Sequence, residues 1–76
     1  MRAKKIEEIL TSRNYFGWIK ILLKNGKEFK YNDASDDEAI IEDGDTLKLT
    51  TEIELNKFQI IYIDCADISA IYFETT

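Results

Sequence analysis

A chain of 76 residues, with 45% apolar side chains, nine aromatics among them, and a net charge of −5, has room for a single domain over 1–76. Its one core would bury about 60% of the unfolded surface. No histidine is present, so the commonest general base and metal ligand is missing, and Cys65 and the three serines have no imidazole to activate them. The three glycines form no phosphate-cradling loop. These exclusions predict a protein that is not an enzyme and holds no metal or cofactor. One cysteine, no apolar run of membrane length, and Glu7 and Glu8 where a signal peptide needs apolar residues predict the cytoplasm, away from membranes.

In chain order, residues 4–13 predict a short amphipathic helix, with Ile6, Ile9 and Leu10 as its stripe and Asn14 as the residue that closes it. Tyr15 to Leu23 is aromatic and β-branched and predicts a strand. Asn25-Gly26 then turns it into a hairpin returning through Lys27 to Tyr31. Of two registers, a three-residue loop with Gly26 left-handed sets Ile21 opposite Phe29 and Ile19 opposite Tyr31, which collects the apolar residues on one face. Trp18, Lys20, Leu22, Glu28 and Lys30 fall on the other, where Trp18 either covers the helix or anchors an interface.

Residues 32–45 hold seven acids and no base. Ser35 with Glu38 fits a capping box, and Asp36 and Asp37 suit a helix N-terminus, which predicts a short acidic helical turn closed by Gly44. The competing expectation is a strand at Ala39-Ile40-Ile41 turning at Asp43-Gly44. From Thr46 the alternation is clean: Leu47, Leu49, Thr51, Ile53 and Leu55 share a face. A turn at Asn56-Lys57 sets Leu55 opposite Phe58 and Ile53 opposite Ile60. Asp64 to Asp67 breaks the strand, Cys65 is expected as a small buried hydrophobe, and Ile68 to Glu74 gives the last strand. The expected fold is α+β, a helix on a five-stranded antiparallel sheet or small SH3-like barrel, with the acidic turn between strands two and three.

The first hairpin, Ile19-Lys20-Ile21-Leu22-Leu23-Lys24-Asn25-Gly26-Lys27-Glu28-Phe29, resembles that of Sm-like and other SH3-like small barrels. The stretch Ile63 to Ile71 looks like the short turn before their final strand. That resemblance implies a helix followed by five bent strands. The Arg-Gly pair through which Sm proteins contact RNA is replaced by Asp64-Cys65-Ala66-Asp67. In general character the chain is also similar to small acidic phage-encoded anti-defence inhibitors of the anti-CRISPR and anti-restriction type.

Charge carries the functional expectation. Residues 1–31 hold eight basic groups against three acids, for +5, while residues 32–76 hold two against twelve, for −10. Asp33, Asp36, Asp37, Glu38, Glu42, Asp43 and Asp45 form either a solvated loop or a mimic of the phosphate backbone. As a mimic they would occupy the basic nucleic-acid-binding surface of a larger nucleic-acid-handling protein, with Trp18 as a further contact and no direct nucleic acid bound. Asp43-Gly44-Asp45 lacks the spaced ligands of a calcium loop. The alternative is a nucleic-acid-binding or scaffold module using Trp18, Lys20, Lys24, Lys27 and Lys30. Those lysines equally serve as protection of an edge strand. A homo-oligomer, basic face to acidic face, is a third use of the asymmetry.

Overall fold

Period-two alternation closes into two sheets that share one core. The computed structural model describes residues 1–11 and 17–74. Among them one helix, α1 (Ala3–Thr11), precedes six strands: β1 (Trp18–Leu23), β2 (Glu28–Asn32), β3 (Glu38–Glu42), β4 (Thr46–Glu54), β5 (Lys57–Asp64) and β6 (Ile68–Phe73). A 3-10 turn at Cys65–Asp67 separates β5 from β6, and Asp64 caps it by accepting from the Ala66 N–H at 3.0 Å. The strands make two three-stranded antiparallel sheets, ordered β2-β1-β6 and β3-β4-β5. This corrects the expected five-stranded sheet or SH3-like barrel: there are six strands, and the sheets do not close on each other.

The sixth strand is β3, where the acidic helical turn was expected. Ser35 and Asp37 do bond the backbone locally, but in a turn. The Ser35 hydroxyl donates to Asn32 O and accepts from the Asp37 N–H, and Asn32 Oδ1 accepts from the Ala34 N–H. Side chains that cap helices bond turns equally well, so the capping pattern did not choose between them. Two further features accompany the strand. The Asp37 carboxylate accepts from the N–H of Asn32 at 2.9 Å and of Glu52 at 2.8 Å, joining the end of β2 to β4. Beyond β3, Asp43 and Gly44 both adopt positive φ, 52° and 82°, the left-handed pair that a tight hairpin needs.

The first hairpin has the predicted register, Ile21 opposite Phe29 and Ile19 opposite Tyr31, with Gly26 at φ 89°. The Leu23 N–H donates to Lys27 O across its three-residue loop. The β4–β5 hairpin does not keep the predicted register. Asn56 turns left-handed at φ 61°, Glu54 pairs with Lys57, and a bulge at Ile53 resets the ladder so that Leu49 faces Ile61 and Leu47 faces Ile63. That register sends Leu47, Leu49, Ile61 and Ile63 inward together, a gain the predicted pairing would have forfeited.

The core takes Ile6 from α1, Ile19 and Ile21 from β1, Tyr31 from β2, Leu47 and Leu49 from β4, Ile63 from β5, and Cys65 and Ile68 behind them. Leu10 packs against it and Ile9 is half-buried, as the helical stripe predicts. The predicted helix end at residues 12–14, and Tyr15 and Phe16, lie outside the described residues. Among those described, no helix is long and apolar enough to cross a membrane.

Candidate functional site

A helix would have gathered the acids on one compact surface; β3 instead draws them out in a line. Glu38 and Glu42 sit on the outer face of their sheet, opposite Thr50 and Thr46. At about 3.3 Å per residue they stand roughly 13 Å apart. Asp33, Asp36 and Asp37 lie in the turn before the strand, and Asp43 and Asp45 in the turn after it. Their roles differ. Asp37 is committed to the two backbone N–H groups described above. Glu42 pairs with Lys48 at 3.7 Å. Asp36, Glu38, Asp43 and Asp45 are exposed and make no ion pair with any described cation. Among the described residues β3 pairs with β4 alone, so this row follows a sheet edge.

Asp45 belongs also to a second feature that the sequence did not announce. An open groove of about 560 Å³ brings Asp45 and Asp64 beside Arg2, Lys4 and Lys24. The Met1 ammonium closes its floor, donating to Cys65 O at 2.9 Å and to Ile68 O at 2.7 Å. Burial pushes the Cys65 thiol pKa up, and the negative charges of Asp45 and Asp64 push it further. Because both signs of charge line the groove, part of the asymmetry between the chain's halves is satisfied within the molecule. Among the described residues no three His, Cys, Asp or Glu side chains converge as a metal ion requires.

The structure does not bring Trp18 to the acidic row. It stands half exposed on the outer face of the other sheet, with the Lys30 ammonium 4.9 Å from its ring. Lys20 and Lys30 are cross-strand neighbours there, and β6 adds Tyr72 opposite Lys20. Tyr72 was not identified from sequence, because only the non-local pairing of β1 with β6 places it beside the lysines. The face is balanced in charge. Glu74 lies 3.6 Å from Lys20 and 3.3 Å from Lys30, and Glu28 is 3.9 Å from Lys20. The Lys30 ammonium, hydrogen-bonded to Glu74, holds that carboxyl below its ordinary pKa. Lys24 and Lys27 stand apart at the hairpin tip, Lys27 over the Phe29 ring at 5.3 Å.

No protein-family model, curated protein or solved structure matches this chain. Function is therefore argued from its own residues.

Proposed function

We propose that the protein is a non-catalytic binding module that lays the acidic edge of β3 against a basic surface of a larger nucleic-acid-handling protein and so excludes nucleic acid from it, in the manner of a phage anti-defence inhibitor. The observation that carries this reading is the row of Asp36, Glu38, Asp43 and Asp45, exposed along one sheet edge and in no ion pair with a described cation. Carboxylates along a strand of roughly 13 Å and in the turns at its two ends present a linear negative potential, as a nucleic-acid strand does. Glu42, half-neutralised by Lys48, and Asp33 and Asp37, which sit in the preceding turn, shape the row rather than lead it.

Affinity capture from nuclease-treated bacterial lysate tests this. The expected result is recovery of one nucleic-acid-processing protein, released at roughly 0.5 M salt, where screening acts within about 4 Å. Recovery that salt does not weaken would count against charge mimicry, and recovery of nothing would remove it. The nucleic-acid module is the second reading, favoured by two exposed aromatics, Trp18 and Tyr72, flanking Lys20 and Lys30. It ranks below the first because Glu28 and Glu74 already neutralise those lysines. Binding of a labelled single-stranded oligonucleotide that is lost on Trp18→Ala would reverse the ranking.

A further inference from the structure

The β4–β5 hairpin projects beyond the core, and its apolar residues are left uncovered. Past the bulge, Ile53 is 60% exposed and Leu55 86%. On the outer face of β5, Phe58, Ile60 and Tyr62 are 45%, 52% and 61% exposed. Taking roughly 200 Å² as the whole surface of such a side chain, the three on the outer face of β5 show about 300 Å² of apolar area along one strand.

The patch runs along an open backbone edge. Among the described residues β5 pairs with β4 alone. Between Lys57 and Asp64 its residues carry no charge and no proline, so charge guards only the two ends of this edge. The other edges differ. Lys30 sits within β2, and Glu38 and Glu42 bracket β3. β6 is two residues shorter than β5 and shows a single large exposed apolar side chain, Tyr72.

We infer that β5 is a dimer edge, pairing antiparallel with β5 of a second copy to make one continuous six-stranded sheet. A two-fold axis normal to the sheet requires a residue to face itself. Centred on Ile60, it sets Phe58 opposite the partner's Tyr62, and Tyr62 opposite the partner's Phe58. Aromatic pairs of this kind stabilise antiparallel ladders. Antiparallel pairing also brings the Lys57 end of one strand to the Asp64 end of the other, where parallel pairing would set like charges together. The acidic β3 edges then lie at the two outer margins of the joined sheet, the arrangement that separates them furthest. In a chain of net charge −5, that charge placement selects a second copy in this orientation. The proposed partner surface on β3 stays open in such a dimer, so the two proposals stand or fall separately.

Sedimentation equilibrium, from low micromolar to millimolar protein, tests the dimer. The wild-type chain should reach twice its 8.9 kDa mass. Ile60→Lys sets two ammonium groups face to face across the axis and should weaken association by about a hundredfold or more. Its fold should be unchanged by circular dichroism, since Ile60 is already half exposed; Tyr62→Lys is the second variant should Ile60→Lys unfold. Ile40→Lys, on the same outer face but on β3, should leave the dimer intact. A monomer at every concentration overturns the proposal and leaves the patch to a different protein. A dimer that survives both β5 lysines overturns it as well. Loss of the dimer in Ile40→Lys would replace edge pairing with face-to-face packing.

Discussion

Cys65 is buried, and Asp37 holds two backbone N–H groups, so both side chains bear on stability. Cys65 is 1% exposed, and burial, then Asp45 and Asp64, raise its pKa above that of an unfolded thiol. The folded state therefore holds this proton more tightly than the unfolded one. Its contribution to stability is complete below the unfolded pKa and is lost as pH rises through the folded one. Urea unfolding between neutral pH and pH of about 10 should show stability falling more steeply in the wild type than in Cys65→Ala. Equal slopes would show that the thiol does not titrate in this way. For Asp37, replacement by Ala leaves the N–H groups of Asn32 and Glu52 without their acceptor and should cost about 1–3 kcal/mol in urea unfolding. Asp36→Ala, one residue away and exposed, should fall within about 0.5 kcal/mol of wild type.

Among the elements, β3 gives the sharpest test of strand against helix. As a strand it turns Ile41 toward the core and Ile40 outward. Ile41→Ala should therefore cost roughly 2 kcal/mol or more, and Ile40→Ala less than about 1 kcal/mol. Similar costs at both positions would contradict the observed face assignment. The first hairpin was fully legible from sequence because its register is local: a short loop with a left-handed Gly26 leaves one choice that does not mix faces. The β4–β5 register was not legible. The bulge at Ile53 arises from burying Ile61 and Ile63 with Leu47 and Leu49, a constraint that no residue in the turn states. β3 was ambiguous for a related reason. Ser35 and Asp37 satisfy a turn as readily as a cap, and the partner that decides between them, the Glu52 N–H, lies 15 residues away. The acids themselves were legible as a run of charge; that Asp37 is structural and Glu42 is paired required the fold.

At the scale of the whole molecule, the projecting hairpin is where exposed apolar side chains collect, Ile53, Leu55, Phe58, Ile60 and Tyr62 all lying on it. Charge is likewise distributed by the fold rather than by the halves of the sequence. Arg2, Lys4 and Lys24 line one groove with Asp45 and Asp64, and Lys20 and Lys30 pair with Glu74, whereas Asp36, Glu38 and Asp43 on the β3 edge are exposed and in no ion pair with a described cation. Replacing Asp36, Glu38, Asp43 and Asp45 together by their amides should leave the melting temperature within a few degrees of wild type, since none is buried or ion-paired to a described residue. The measurement that bears most directly on the central claim uses this variant in competition. A labelled nucleic acid is bound to the protein captured from lysate, and its displacement is followed by fluorescence anisotropy. Wild-type chain should displace it, and the four-amide variant should need at least about a hundredfold more protein, near the loss of two close charge pairs. Displacement by the two chains at equal concentration would contradict the account, because the acidic edge would then have no part in binding.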